Sequence, residues 1–137
     1  MVSSQTILVV EDDPTVREAV SAALTRKGYN VVTADDGVDA IRLAADHPPD
    51  LAVVEMLLPG ASGFQVAQAL KAATDGRVPV VMVSATSSDA HQDYAFASGA
   101  DRFLAKPFAV GGLTEIVLAL CPLPSGSKAI PLAATRA

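Results

Sequence analysis

The sequence is poor in cysteine, in aromatic residues and in basic charge. Its single cysteine, Cys121, excludes an intramolecular disulfide and is typical of a reducing cytoplasm. Tryptophan is absent, and with four phenylalanines and two tyrosines the core has to be built mainly from aliphatic side chains. Fifteen acidic residues outnumber ten basic ones and leave a net charge of -5, which argues against direct DNA binding by this chain.

Long apolar runs are also missing. No segment approaches the roughly 20 apolar residues that span a bilayer, and no basic segment precedes an apolar stretch at the N-terminus, which argues against a signal peptide. We therefore expect a cytoplasmic protein that is not attached to a membrane. The 137 residues, half of them hydrophobic, suit one domain with a sizeable core.

Short aliphatic runs alternate along the chain with longer amphipathic stretches. The runs Ile7–Val10, Leu51–Val54 and Val80–Val83 are apolar throughout, which is typical of strands buried on both faces of a parallel sheet. Two weaker strands are predicted at Val31–Val32 and Phe103–Leu104. The sequence thus predicts five strands, each followed by a helical stretch.

Four of the five predicted helices carry apolar residues at helical spacing, while the fourth has more small and polar residues, and the first four end at a glycine or at prolines. The ends are expected at Gly28, at His47-Pro48-Pro49, near Gly76, at Gly99 after a fourth helix running from about Ser88 to Ser98, and near Leu120. Five βα units joined by right-handed crossovers give an α/β sheet with helices on both sides. We place this domain at residues 5–121.

Residues 122–137 have a different composition from the rest of the chain. They contain three prolines among small residues and show no hydrophobic periodicity. This pattern is typical of a flexible tail or of a linker stub.

Polar residues follow four predicted strands, and we take them as candidate functional residues: Glu11, Asp12 and Asp13; Glu55; Ser84; and Lys106. Open α/β sheets bind ligands beyond the carboxyl ends of their strands, so these side chains are expected to converge. Converging carboxylates repel one another unless a hard cation such as Mg²⁺, or a lysine, offsets their charge. Carboxylates, a metal, a hydroxyl and a lysine together form a site that handles phosphoryl groups.

Each candidate also has a plain structural interpretation. Asp13 directly precedes a proline at a predicted helix start, which favours a helix cap over a metal ligand. Glu11 and Asp12 taken alone could form a solvated turn. Ser84 alone is uninformative, and Lys106 alone would be a surface lysine.

Four segments resemble the receiver domain of two-component response regulators in order and spacing: ILVVEDD, DLAVVEMLLPGASGF, VPVVMVSA and GADRFLAKPF. The resemblance, to a CheY-like domain, covers about residues 5–120. It implies a flavodoxin-like, doubly wound (βα)5 fold with a five-stranded parallel sheet in the order 2-1-3-4-5. It also implies a histidine kinase or a phosphotransfer protein as the partner that donates the phosphoryl group.

The resemblance assigns roles to individual residues. It implies that Glu11 and Asp12 form the acidic pair that holds Mg²⁺, with the backbone carbonyl of Leu57 as a further ligand. Ser84 would be the switch hydroxyl. Lys106 would be the lysine that contacts the phosphoryl group.

The chain departs from the family at Glu55, where the family has its phospho-accepting aspartate. The extra methylene moves the carboxylate outward by roughly 1.5 Å, one carbon–carbon bond length. Since in-line attack tolerates little misplacement, we expect inefficient phosphorylation and weakened Mg²⁺ binding. The longer arm could instead accept bonds from Ser84 and Lys106, which would partly mimic a phosphoryl group. Phe103 stands at the aromatic switch position, but an ordinary core phenylalanine is nearly as good an interpretation.

We interpret the chain as a signalling receiver and not an enzyme, with phosphorylation weak or unnecessary. Its output would pass to a downstream protein through the face made by the fourth helix, the fifth strand and the fifth helix, and a homodimer stays open. Glu55, natural or engineered, could alternatively be a working phospho-acceptor. A small Mg²⁺-dependent phosphohydrolase is a remote alternative, because such enzymes need a competent nucleophile and a cap that excludes water.

Overall fold

The computed structural model describes residues 5–124, in which five strands alternate with five helices. The strands are β1 (Thr6–Val10), β2 (Asn30–Ala34), β3 (Leu51–Glu55), β4 (Val80–Ser84) and β5 (Arg102–Ala105). The helices are α1 (Pro14–Lys27), α2 (Gly37–Asp46), α3 (Gly63–Ala73), α4 (Asp89–Ala97) and α5 (Val110–Leu120). All strand pairs are parallel and their order is β2-β1-β3-β4-β5. The predicted flavodoxin-like fold is confirmed.

Alternate residues of the central strands face two separate cores. On β3, Ala52 and Val54 join a cluster with α2, α3 and α4, whereas Leu51 and Val53 join a second cluster with α1 and α5. Both sets are buried because helices cover both faces of the sheet. This two-sided burial explains why β1, β3 and β4 have almost no polar residues until the strand ends.

The two edge strands are less buried and longer than their apolar residues indicate. β2 and β5 are half-exposed along most of their length. The sequence predicted only Val31–Val32 and Phe103–Leu104, but pairing with β1 and β4 continues beyond these residues in both directions. The hydrogen-bonded ladder, rather than hydrophobicity, sets the ends of an edge strand.

Most helix ends lie where the sequence places them. Asp13 caps α1 by accepting bonds from the backbone N–H groups of Thr15 and Val16, so its interpretation as a cap is confirmed. Gly28 ends the same helix in the left-handed region, with φ of 111°. The third helix ends earlier than predicted, at Ala73 instead of near Gly76.

Threonine chemistry explains the early end of α3. The Thr74 hydroxyl donates to the carbonyl of Leu70 and accepts from the N–H of Val78. The next residue, Asp75, has a positive φ of 52°, which turns the chain out of the helix. The local side-chain bonds thus replace the last helical turn that the apolar spacing predicted.

The segment after α5 contacts the domain at the end of the sheet opposite the candidate residues. Pro122 accepts a hydrogen bond from the side chain of Gln5, and Leu123 packs against the α1–α5 core. The start of the predicted tail therefore lies against the domain, and its residues 125–137 lie outside the described residues. Cys121 is buried, and burial raises the pKa of its thiol, which disfavours the reactive thiolate. No helix within residues 5–124 is both long and apolar enough to cross a membrane.

Tyr29 should make stability fall in alkali. Its buried hydroxyl donates to the Cys121 carbonyl at 2.6 Å, and burial, with Cys121 adding to it, raises its pKa from 10.0 to about 12. Because the pKa of Tyr29 is higher in the folded than in the unfolded protein, the neutral hydroxyl stabilises the folded state. This contribution is complete below the unfolded-state pKa and is lost as the pH rises through about 12. Relative to Tyr29→Phe, the wild type should lose about 2 to 3 kcal/mol over this window.

Urea unfolding of both proteins from neutral pH to about pH 12 measures this difference. At neutral pH the wild type should be the more stable by about 1 kcal/mol, the usual net value of one hydrogen bond. Tyr94→Phe is the matched control, because Tyr94 is 57% exposed. Parallel pH curves for the wild type and Tyr29→Phe would contradict the prediction.

Candidate functional site at the carboxyl edge of the sheet

Three charged side chains meet at the carboxyl edge of the sheet. Glu11 directly follows β1, Glu55 is the last residue of β3, and Lys106 directly follows β5. The Lys106 ammonium nitrogen lies 2.8 Å from Glu11 Oε1 and 2.5 Å from Glu55 Oε1. The lysine therefore bridges two carboxylates that stand at the ends of the neighbouring strands β1 and β3. We call these three residues the Glu–Lys–Glu bridge.

The two glutamates of the bridge have the same local geometry. In each, the second oxygen accepts a bond from the backbone N–H two residues further along. Glu11 Oε2 is 3.1 Å from the nitrogen of Asp13, and Glu55 Oε2 is 3.0 Å from the nitrogen of Leu57. Each carboxylate thus has a backbone N–H on one oxygen and the Lys106 ammonium near the other. For Glu11 Oε1 the ammonium is an ion-pair partner only, because this buried oxygen accepts no hydrogen bond.

Burial shapes the electrostatics of the bridge. Both glutamates are almost fully buried, while the lysine side chain is 20% exposed. Burial raises the pKa of Glu11, and the contacts with Lys106 and Asp13 offset this only in part. For Lys106, burial lowers the pKa, but the contacts with Glu11 and Glu55 together outweigh it, so its pKa is raised. The ammonium is therefore held in its charged form.

Ser84 lies beside the bridge but is not bonded to it. It ends β4 and is fully buried, and its hydroxyl oxygen accepts the N–H of Thr86 at 3.0 Å. Among the described residues it makes no hydrogen bond to Glu55, so only the Lys106 half of the expected pair of contacts is present. In this conformation the hydroxyl oxygen accepts its hydrogen bond from the loop that follows β4.

The remaining predicted residues are not members of the bridge. Asp12 is exposed, and within residues 5–124 its carboxylate takes part in no hydrogen bond or ion pair. Leu57 is 60% exposed and contributes its N–H to Glu55. Phe103 is half-buried against the core cluster on the α4 side of the sheet. This position suits both interpretations of Phe103, as a switch residue and as a core residue.

The site as it stands does not fit a magnesium ion. Carboxylates and a backbone carbonyl are suitable ligands in kind. Among the described residues, however, no three acidic, histidine or cysteine side chains are grouped so that they could hold a metal. The space between the buried carboxylates holds the Lys106 ammonium. Magnesium binding by Glu11, Asp12, Glu55 and Leu57 thus stays a prediction, and it would require the lysine to withdraw.

Two residues that position the site were missed by the sequence reasoning. Arg17, on the first turns of α1, donates to the backbone carbonyl of Glu11 at 2.9 Å. Gly63 begins α3 directly against the end of β3, where its N–H donates to Met56. Glycine at the start of an amphipathic helix was a usable signal, because it lowers helix propensity and so points to a close backbone contact.

An apolar groove opens next to the bridge. It has a volume of about 380 Å³ and lies between α1 and the start of α5. Its walls are formed mainly by Val16, Val20, Phe108 and Val110, and Lys106 reaches its rim. The groove therefore places apolar side chains beside the charged bridge.

Comparison with known proteins connects this geometry with a family. The sequence profile of the response regulator receiver domain matches residues 7–118. The transcriptional regulatory protein KdpE of Mycobacterium tuberculosis is 36% identical over 114 residues, which cover 83% of this chain and 48% of that protein. This chain thus spans about half the length of such relatives.

Solved structures agree with the sequence comparison. Chemotaxis protein CheY4 of Vibrio cholerae superposes with a TM-score of 0.79 at 27% identity, covering 86% of this chain and 99% of that one. A response regulator of Burkholderia pseudomallei, solved with a phosphorylated aspartic acid, a calcium ion and citrate, has a TM-score of 0.75 at 26% identity, covering 85% and 66%. Sequence, strand order and structural similarity agree, and the chain belongs to the response regulator receiver domain family.

Proposed function

We propose that this receiver signals with little or no dependence on phosphorylation, because Glu55 is a poor phospho-acceptor. The proposal rests on one observation: both oxygens of the Glu55 carboxylate already have a partner. Lys106 binds one of its oxygens at 2.5 Å, and the N–H of Leu57 binds the other at 3.0 Å. A nucleophilic oxygen held in this way has to break an ion pair before it can attack.

The length of the side chain adds to this effect. A glutamate places its carboxylate one methylene farther from the backbone than the aspartate of the family. A misplacement of about 1 Å can lower the rate of an oriented reaction on the order of 100-fold. The length of the Glu55 side chain and its ion pair with Lys106 both slow the attack on a phosphoryl group. Both therefore favour a receiver that is phosphorylated slowly at best.

The same contacts support partial mimicry of the phosphorylated state. In the Burkholderia relative the aspartate carries a phosphoryl group. Here the Glu55 carboxylate supplies one negative charge to Lys106, against roughly 1.5 to 2 for a phosphate. Among the described residues Ser84 makes no hydrogen bond to Glu55, so the carboxylate recruits the lysine and not the hydroxyl. We therefore expect a resting state between the unphosphorylated and phosphorylated forms.

The output surface in this proposal is the face formed by α4, β5 and α5. On α4, Phe96 is 46% exposed, and Phe103 of β5 is half-buried. Tyr94 is 57% exposed, but its ring packs against Phe64 of α3 with the ring centroids 4.3 Å apart, so it lies on the α3 side of α4. Exposed aromatic residues are typical of protein contacts. The partner would be a downstream protein or a second copy of the chain. A histidine kinase or phosphotransfer protein would approach from the groove beside Lys106.

The transcriptional activity of relatives such as KdpE belongs to proteins about twice as long as this chain. We propose a cytoplasmic signalling role in which any DNA contact is made outside the receiver domain. The acidic balance of the chain supports this assignment.

Restoring the aspartate tests the proposal. With acetyl phosphate and Mg²⁺, Glu55→Asp should incorporate a phosphoryl group about 100-fold faster than the wild type, because the nucleophile returns to the family position. Intact-mass spectrometry over a time course measures the rate. With beryllofluoride, which mimics a phosphoryl group on an aspartate, only Glu55→Asp should show NMR shifts across α4 and β5.

Glu18→Asp is the matched control, since Glu18 is exposed on α1 and lies outside the bridge. It should behave like the wild type in both assays. Equal labelling of the wild type and Glu55→Asp would instead make Glu55 a working phospho-acceptor and would exclude the proposed function.

A further inference from the structure

We propose that Lys106 replaces the magnesium ion at this site, so that the Glu–Lys–Glu bridge stays assembled without a metal. The inference rests on the proposed function, in which Glu55 is no longer a phospho-acceptor. It identifies Lys106 as the cation that neutralises the two buried glutamates. A receiver that does not transfer a phosphoryl group has no need of a metal for that step. Its buried carboxylates still need a cation.

The position of the ammonium is the first argument. Its nitrogen contacts one oxygen of each buried glutamate, at 2.8 and 2.5 Å. Mg²⁺ requires carboxylate oxygens at about 2.1 Å. An ion shared by the same two oxygens would have to lie where the ammonium lies, and the two cations would repel each other. Lysine and metal are therefore alternatives at this site.

The lysine is also held in place by its backbone. The N–H of Lys106 donates to the Ser84 carbonyl at 2.8 Å, which continues the pairing between β4 and β5. The base of the side chain is thus fixed by the sheet, and only its methylene chain is free to move.

The length of both acids is the second argument. Each glutamate bends back so that its outer oxygen binds the N–H two residues on, and turns the other oxygen toward the lysine. Each carboxylate is thereby held by a backbone N–H at one oxygen and by the ion pair with Lys106 at the other. For a metal to bind, both carboxylates would have to give up the charge-assisted contact with Lys106, which is among the stronger bonds in a protein.

The charges around the bridge are the third argument. Glu11 and Glu55 are negative, Lys106 is positive, and the Arg17 guanidinium binds the backbone carbonyl of Glu11 at 2.9 Å. These four groups sum to zero. The neighbouring carboxylates of Asp12 and Asp13 are exposed, so solvent screens them and they add little to the field inside the site. The buried charge is therefore balanced by residues of the chain itself.

Thermal unfolding in MgCl₂, compared with KCl of equal ionic strength, tests the inference. A ligand that binds only the folded state raises Tm, so the Tm of the wild type should be the same in the two salts. Lys106→Gln leaves two buried carboxylates without their cation and should lower Tm by about 5 to 10 °C in KCl. Mg²⁺ should restore part of that loss.

Lys71→Gln is the matched control. Lys71 has the same side-chain exposure of 20% and an ion pair of 2.8 Å with Asp101, but it lies at the opposite end of the sheet. This variant should lose stability equally in both salts. Recovery in Mg²⁺ that is specific to Lys106→Gln therefore supports competition between lysine and metal.

Two results would overturn the inference. One is a wild-type Tm that is higher in MgCl₂ than in matched KCl, and the other is a folded Lys106→Gln that gains nothing from Mg²⁺. Should Lys106→Gln not fold, Glu55→Asp takes its place: the shorter acid releases the lysine, and Mg²⁺ should raise the Tm of this variant but not of the wild type. Labelling by acetyl phosphate judges the proposed function separately, because Mg²⁺ can bind a receiver that is not phosphorylated.

Discussion

Gly63→Ala is expected to lower the free energy of unfolding by about 3 kcal/mol, the upper part of the range for overpacking in a well-packed site. A Cβ at Gly63 would lie 2.3 Å from the carbonyl oxygen of Glu55 and 2.8 Å from the Cα of Met56. Both are backbone atoms of a buried segment whose pairing with β4 continues through the N–H of Met56. Neither neighbour can move without breaking that pairing, so α3 has to move away from the strand.

The substitution should also alter the bridge, because the atom that the added Cβ presses against is the backbone carbonyl of Glu55 itself. We expect chemical-shift changes at the amide of Leu57, whose N–H binds the Glu55 carboxylate. Urea unfolding gives the loss of stability, and NMR gives the local effect. A Gly63→Ala protein with wild-type stability and an unchanged Leu57 amide would contradict this interpretation of the glycine.

Gly112→Ala is the control for glycine replacement as such. Gly112 lies within α5, and nothing is within 4 Å of the Cβ that alanine would add. Alanine favours the helix over glycine, so this variant should gain about 0.5 to 1 kcal/mol. The opposite signs at the two positions separate a steric requirement from a simple preference for the helix.

The sequence predicts the fold well wherever burial is two-sided. β1, β3 and β4 carry helices on both faces, and their unbroken apolar runs identify them. The edge strands β2 and β5 leave no comparable pattern, because one side of each pairs and the other is exposed. The end of α3 was also misplaced, since the hydroxyl of Thr74 ends the helix in a way that apolar spacing does not reveal.

In the candidate site, the strand order could be used to predict which residues meet, but not which contacts they make. Parallel strands have their carboxyl ends at one edge, so the convergence of Glu11, Glu55 and Lys106 follows from the strand order. The choice between a lysine and a metal as counter-ion depends on contacts of a few tenths of an ångström, which no sequence pattern encodes. For the same reason the sequence did not predict that Ser84 would accept a hydrogen bond from the N–H of Thr86 and make none to Glu55.

The proposed output surface depends on a helix that local sequence scarcely favours. α5 begins at Val110. The residue before it, Ala109, offers no side-chain cap, and the second and third residues of the helix are Gly111 and Gly112. It also lacks acidic residues in its first turn and basic residues in its last. An isolated helix of this composition would not be stable in water. Packing of Leu113 and Val117 into the α1–α5 core therefore has to hold it.

Leu113→Ala should accordingly lower the free energy of unfolding by about 3 to 4 kcal/mol, within the range for buried leucines. Leu113 has no exposed surface and lies in the first turns of α5. Hydrogen exchange should show lost protection through α5 before the rest of the domain, since little but packing stabilises this helix. Glu115→Ala, at an exposed position of the same helix, should change stability by less than about 0.5 kcal/mol.

Adding Gly112→Ala to Leu113→Ala separates packing from helix propensity. The second substitution should recover about 0.5 to 1 kcal/mol, its effect as a single change, because it strengthens the helix without filling the cavity. A full recovery would mean that α5 is limited by its glycines and not by its contact with the core. With partial recovery, the order of the α4–β5–α5 face depends on the α1–α5 core, so that a partner which binds α5 is coupled energetically to α1, which packs on the same face of the sheet.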